Sequence, residues 1–286
     1  MNARTALAAA ADGASAGAAA GEVAGEVAGA VAGAAAPPVR PRLLPLGDAA
    51  WTVEFGNEIA PETHARVLGF AAALAAAQQA GALAAGIEWV PAFRSLTVHF
   101  DPLKVDYAAL AERLLEIAGD SGNHRVHGAS WRIPVCFDAD FAPDLEVVAA
   151  TKWLTPEEVV RLMTDTVFTV YMLGFLPGFP YLGGLPEALD MPRLASPRKV
   201  VPARSIAIAG RSCAAYPWQS PGGWRLMGRT PVRLFDPARS ERPALLAPGD
   251  RVVWQAVDRA AYDAIKARCD HGEFDPAELL VGEVGA

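Results

Sequence analysis

The sequence predicts an α+β protein in which a small α/β segment precedes a β-rich one. Three observations carry this. Residues 43–119 alternate extended and helical hydrophobic patterns, residues beyond 167 fall into short apolar runs broken by Gly and Pro, and residues 6–36 are almost all Ala, Gly and Val, with no side chain large enough to build a core.

The leader contains GEVAGEVAGAVAGA (21–34), an imperfect repeat interrupted by glycines. Each interior Gly weakens a helix by about 0.5–1 kcal/mol against Ala. As a signal peptide it reads badly, because Leu7 is its only leucine and acids stand at Asp12, Glu22 and Glu26. Residues 1–38 are therefore expected to be disordered.

After Pro37, Pro38 and Pro41, LLPLGDAAWTVEF reads as strand, turn at Gly47 and Asp48, strand. Val67, Ala71 and Leu74 then fall at helical spacing, and SLTVHF alternates with Leu96, Val98 and Phe100 on one face. Leu110, Leu114 and Ile117 form a second helical stripe, which Gly119 is expected to stop. SGNH (121–124) marks a boundary, so residues 39–124 are taken as the N-terminal domain.

WRIPVCF (131–137) alternates again. Two helices follow, one in PDLEVVAA and one opening at Thr155-Pro156-Glu157-Glu158, where Thr155 and Glu158 make a capping box around a Pro at the first helical position. FTVYMLGF, YLGG, SIAIAG, WRLMG, VRLFDP and RVVWQAV then suggest a β barrel or sandwich over residues 125–258. Residues 259–286 read as a tail with short helices, including a capped DPAELL.

The 286 residues carry 25 Lys and Arg against 32 Asp and Glu, a formal net charge of −7, with no long block of like charges. That argues against nucleic acid and anionic membranes as partners. Cys136, Cys213 and Cys269 are odd in number and lack a CxxC, which argues against a disulfide framework or structural zinc and fits a reducing cytosol. No apolar stretch of spanning length stands out.

Familiar catalytic spacings are missing: there is no GxGxxG after a strand, no GxxxxGK[ST], no HExxH and no GxSxG. The histidines at 64, 99, 124, 127 and 271 lie mostly outside the Gly/Pro-dense half, and His124 and His127 read as loop residues without an acidic or Cys partner.

The informative stretch is 171–231. GFLPGFPYLGGL brings Gly174, Phe175, Pro177, Gly178, Phe179 and Tyr181 into a backbone that ordinary residues do not adopt. Its plain structural reading is a pair of tight corners packed by aromatics. PRLASPRKVVP holds Arg193 and Arg198 on stiff chain, suited to bidentate recognition of carboxylate or phosphate, although surface pairing with Glu187 or Asp190 would serve Arg193 equally. SPGGW and GRTP supply Ser220, Gly222, Gly223, Trp224, Arg229 and Thr230, with glycine-turn N–H groups able to nest an anion. Ser220 as a nucleophile would need a base, and none is visible nearby.

These strings, together with LLAPGDRVVW, resemble in order and spacing the B subunit of bacterial ATP-dependent 5-oxoprolinase, a family that includes allophanate hydrolase subunit 1, or carboxyltransferase subdomains C and D, and the sporulation-kinase inhibitor KipI. The resemblance runs over roughly residues 41–257, densely from Trp131. It implies a ferredoxin-like N-terminal α/β domain and a C-terminal cyclophilin-like β barrel. It also implies a KipA-like C subunit and a lactam-utilisation A subunit as partners, with ATP and Mg²⁺ as co-substrate of the assembled complex. Three positions depart from the family pattern: Met163 stands where the family usually has a His, Arg204 replaces Gly in VPAGS, and CAAYP from Cys213 replaces a TGIYP-like string.

The activity so implied is ATP-driven opening of 5-oxo-L-proline to L-glutamate, with the loops at 174–181 and 220–224 forming one wall of a cleft that a partner completes, and with Arg198 and Arg229 pairing with anionic oxygens. Two alternatives come with the resemblance: inhibition of a sensor histidine kinase, and a urea-linked allophanate or carboxyltransferase role. The latter would want a biotin carrier, and the chain has no carrier motif with a central Met-Lys pair.

Overall fold

The computed structural model describes residues 40–120, 128–240 and 242–282. The leader, the boundary loop and with it His124 and His127 lie outside the described residues.

The first layer is a four-stranded antiparallel sheet in the order β1-β2-β4-β3, with β1 at Arg42–Pro45, β2 at Ala50–Glu54, β3 at Glu88–Pro91 and β4 at Ser95–His99. Gly47, with φ 64°, takes the left-handed corner between β1 and β2. Helices α1 (Pro61–Gln79) and α2 (Tyr107–Asp120) pack on the sheet and on each other. The stripes read from the sequence are the core: Val67, Leu74, Leu96, Val98, Phe100, Leu110, Leu114 and Ile117 are all buried in one cluster. Gly119 does not end α2, which runs one residue further. The element order β-β-α-β-β-α also differs from the β-α-β-β-α-β order that a ferredoxin-like name denotes. The strand expected after α2 comes first instead, as β1.

The second layer is an eight-stranded sheet, β12-β9-β10-β7-β6-β13-β5-β14. Its members are β5 (Ser130–Val135), β6 (Phe168–Leu173), β7 (Pro180–Gly183), β9 (Ser205–Ala209), β10 (Ser212–Ala215), β12 (Arg225–Arg229), β13 (Arg251–Ala256) and β14 (Leu280–Val281). Among the described residues only β5 and β13 pair in parallel, over six residues. Strands β8 (Arg198–Val201) and β11 (Ser220–Gly222) form a separate ribbon.

A closed barrel is not present among the described residues. The sheet curls until Arg229, at the end of β12, meets Cys136 just past β5, and each N–H donates to the other's carbonyl, at 2.9 and 3.0 Å. The ladder goes no further because Pro134 withdraws a donor from β5, and because β14 already pairs with Ser130 and Trp131.

Helices α3 (Leu145–Lys152) and α4 (Pro156–Asp165) cover this sheet. The capping box at α4 is formed as read: Glu158 N–H donates to Thr155 Oγ1 at 3.2 Å, and Thr155 N–H donates to Glu158 Oε2 at 2.8 Å. Asp250 ties β13 to the start of β5, accepting from Ala129 N–H and Trp131 Nε1, both at 2.8 Å, and from Ala247 N–H at 2.9 Å. The tail is more ordered than short helices. Helix α5 (Arg259–His271) runs from an Asp258 cap to Gly272 at φ 73°, and DPAELL forms a capped 3-10 turn that delivers β14 to the sheet edge.

Candidate functional site

Where α1 and the β3–β4 turn of the first layer face β6 and β7 of the second, aromatic rings form a continuous chain. The ring of His64 lies 4.4 Å from that of Tyr171, Phe93 lies 5.7 Å from Tyr171 and 5.8 Å from Tyr181, and Tyr181 lies 5.9 Å from Trp224. Phe179 joins at 4.9 Å from Tyr181 and 5.0 Å from Tyr216.

At the His64 end the two layers leave a cleft of about 1270 Å³, lined among others by Pro61, His64, Arg66, Tyr171, Arg211 and Arg251. This exceeds the roughly 300–1,000 Å³ usual for a single small ligand. Three arginines line it against one carboxylate, Glu187, so a chain of net charge −7 carries a locally cationic cleft. Arg66 Nη1 donates to the Phe55 carbonyl at 2.9 Å. Arg211 follows Gly210, whose φ of 54° makes the β9–β10 turn, and forms no ion pair among the described residues.

His64 is buried in α1, with its Nε2 2.7 Å from the Tyr171 carbonyl oxygen. Burial lowers its pKa, against a smaller raising effect of that hydrogen bond, so the ring is neutral at pH 7. A carbonyl only accepts, hence Nε2 carries the proton and Nδ1 the lone pair. A neutral imidazole with its Nδ1 lone pair unused is able to accept a proton.

The loops singled out in the sequence converge, but on the aromatic chain rather than on the lining of the cleft. The turn between β6 and β7 closes through Gly174 N–H to the Phe179 carbonyl at 3.1 Å and Phe179 N–H to the Leu176 carbonyl at 3.0 Å. Gly178 has φ 75°, and a Cβ there would stand 2.7 Å from Phe235 Cβ. Phe175 takes φ 69° with its side chain exposed, Pro177 is exposed beside it, and Phe179 is buried. Across from them Gly222 is in contact with Tyr216: an added Cβ would lie 2.4 Å from the hydroxyl. At Gly223 the carbonyl accepts from Leu194 N–H at 2.7 Å.

The remaining nominated residues have other partners. Arg198 Nη2 donates to Asp144 Oδ1 at 2.8 Å, so its guanidinium is already paired. Ser220 Oγ reaches only the Pro221 carbonyl, at 3.2 Å, with no base on it. Thr230 is buried and accepts from Val232 N–H, as a local turn. Arg229 lies against Phe141, away from the aromatic chain. The cleft residues His64 and Arg211 were missed. His64 had a visible signal, since it sits on the same helical stripe as Val67, Ala71 and Leu74, a polar side chain at a core position.

Residues 41–246 match the carboxyltransferase domain, subdomain C and D. The B subunit of 5-oxoprolinase from Bacillus subtilis (strain 168) is 40% identical over 242 residues, covering 80% of this chain and 98% of that one. The chain belongs to the 5-oxoprolinase B-subunit family. Among solved structures it is similar to TTHA0988, with a TM-score of 0.63 and 36% identity over 73% of this chain, which spans only 40% of that longer one. The urea carboxylase of Kluyveromyces lactis shares the fold, with a TM-score of 0.68 at 21% identity over 82% of this chain and 23% of that one.

In this member of the 5-oxoprolinase B-subunit family, none of the three departures lines the cleft. Met163 is on the core-facing side of α4 and fully buried. Cys213 is fully buried in β10, where desolvation pushes its thiol up to about 12. Arg204 holds a left-handed backbone, φ 69°, at a position suited to Gly. No helix among the described residues is long and apolar enough to cross a membrane.

Proposed function

We propose that the chain is the B subunit of an ATP-dependent 5-oxoprolinase, which opens 5-oxo-L-proline to L-glutamate, and that the cleft between α1 and the β6–β7 edge holds its anionic reactants. The supporting observation is the cationic, 1270 Å³ cleft in an acidic chain that belongs to this family.

The chemistry follows from the substrate. A lactam carbonyl carbon is a poor electrophile, and ATP activates it. The carbonyl oxygen attacks the γ-phosphorus, forming an O–P bond while the bond to ADP breaks. Water adds to the carbon, the C–N bond breaks with a proton moving to nitrogen, and a second water cleaves the resulting acyl phosphate to glutamate and phosphate. Arg211 would hold the substrate carboxylate or a phosphate oxygen, and His64 Nδ1 would take the proton from attacking water. The layers closing around this cleft would limit bulk water.

The described residues contain no group of three His, Cys, Asp or Glu suited to a metal ion, so Mg²⁺ would enter with the phosphates of ATP rather than sit in a cage built by this chain. The aromatic chain through Phe179, Tyr181 and Trp224, with the loops that carry it, is proposed as the wall against which a KipA-like C subunit and a lactam-utilisation A subunit complete the site. In support, the relatives are named as subunits, and TTHA0988 has more than half of its chain outside the match. The domain division near residue 124, a ferredoxin-like first layer with permuted strand order and a cyclophilin-like second layer belong to the same reading.

The test is to assay ADP and glutamate formation by the chain alone and with both partner subunits. Turnover only in the mixture supports the shared site, and full turnover by the isolated chain contradicts it.

A further inference from the structure

The side chain of Arg229 is a half-buried cation with an unmet donor. Its Nε makes no hydrogen bond and is shielded from solvent, while the guanidinium carbon stands 4.6 Å from the centre of the Phe141 ring. Arg259 lies over the same ring at 4.6 Å, and the Tyr262 ring packs on it with centroids 4.6 Å apart. Buried donors without partners are rare in folded proteins, and a bound water or ion is a common resolution.

The charges around this seam leave Arg229 as the odd one. Arg204 and Arg233 reach Asp270 at 3.5 and 3.8 Å, and Lys266 also pairs with Asp270. Arg259 pairs with Asp263 at 3.1 Å and Asp140 at 3.6 Å. Arg204 also donates to the Pro231 carbonyl at 2.7 Å. Arg229 has no carboxylate among the described residues. Burial pulls its pKa down, and the like charges of Arg259 and Arg204 act in the same direction, while Tyr262 opposes them. Stacking on Phe141 compensates in part, because the ring face attracts a cation. The Tyr262 hydroxyl has no hydrogen-bond partner among the described residues, and its ring and the Arg229 guanidinium both lie against Phe141.

We propose that Arg229 and Tyr262 form a second anion site, apart from the α1 cleft, at the seam between the end of β12, the loop after β5 and α5. It would take one carboxylate or phosphate group, bound edge-on through Nε and Nη of Arg229 with the Tyr262 hydroxyl donating a third hydrogen bond. Edge-on binding uses the orphan Nε, which a face-on contact would leave unmet. The site lies on the side chains of β12 and α5 that line none of the cleft, so it stands independently of the 5-oxoprolinase reading.

The full chain, labelled with 15N, is titrated at constant ionic strength with inorganic phosphate in one arm and acetate in the other, following the Arg229 Nε–H resonance. That resonance is identified by its loss in Arg229→Lys, which keeps the charge. The site predicts a saturable shift in at least one arm, the responding arm naming the anion, retained in Arg211→Gln and weakened at least about threefold in Tyr262→Phe. Circular dichroism confirms that each variant is folded. A linear drift in both arms, equal affinity in Tyr262→Phe, or loss of the shift in Arg211→Gln overturns the proposal.

Discussion

Arg198 and Asp144 join the β8–β11 ribbon to the head of α3 through one carboxylate. Arg198 Nη2 donates to Oδ1 at 2.8 Å, and Leu226 N–H in β12 donates to Oδ2 at 2.6 Å. The acid is buried, with a side chain 6% exposed against 28% for the arginine. Arg198 Nη1 also reaches the Trp224 carbonyl at 3.4 Å. The pair thus sets the position of the Trp224 end of the aromatic chain, and both the salt bridge and a backbone donor depend on Asp144.

Asp144→Ala should therefore destabilise the fold by about 3 kcal/mol, since it strands a partly buried guanidinium and a buried N–H together. Arg198→Ala should have a smaller effect, because the arginine is better solvated. Urea midpoints of the two variants check the order, and equal shifts would mean that the Leu226 hydrogen bond contributes little.

His64 makes stability depend on pH in a defined sense. Its folded pKa lies below the ordinary 6.5 of an exposed imidazole, so between the two values the unfolded chain binds more protons. The stabilisation is present in full above pH 6.5 and is lost as pH falls toward the folded value, below which the slope vanishes. His64→Gln should flatten that part of the curve. The measurement is the free energy of unfolding from about pH 8 to about pH 5 for both proteins, and parallel curves would exclude His64 as the source.

Gly222→Ala should be destabilising by about 1–3 kcal/mol, because the new methyl would meet the Tyr216 hydroxyl at 2.4 Å. Tyr216→Phe in the same chain removes that oxygen and should recover part of the loss. Thermal midpoints of the single and double variants decide it. Additive losses would show that the crowding at Gly222 comes from another neighbour.

Phe175 is an exposed residue on a left-handed backbone at φ 69°, in T-shaped contact with Phe179 at 5.4 Å. Phe175→Gly should be nearly neutral or stabilising by up to about 1 kcal/mol, while Phe175→Val should destabilise, since a branched side chain fits that backbone poorly. Denaturant midpoints for the two variants test the sign, and a large loss in Phe175→Gly would give the ring a packing role.

Much of the fold is legible because periodicity reports burial directly. Leu96, Val98 and Phe100 alternate because one face of β4 is core, and Thr155 and Glu158 mark the start of α4 because capping is a local interaction. Sheet closure is not local. Whether β12 meets β5 depends on Pro134 and on a strand, β14, that arrives about 150 residues later, and nothing near WRIPVCF announces it. The candidate site divides in the same way. The Gly and Pro loops were visible as unusual backbone, and they do converge on Tyr181 and Trp224. Arg198 gave no sign of Asp144, which lies 54 positions away, and the cleft needs α1 from one layer and Arg211 from the other.

The central claim is tested most directly by ADP and glutamate formation in the complex reconstituted from this chain and its two partner subunits, with 5-oxo-L-proline and ATP, comparing the natural chain with Arg211→Gln. Equal amounts of ADP and glutamate are predicted from the natural complex, with a rate lower by about tenfold or more from the folded, assembled variant. Turnover unchanged by Arg211→Gln, or no glutamate from the natural complex, would contradict it.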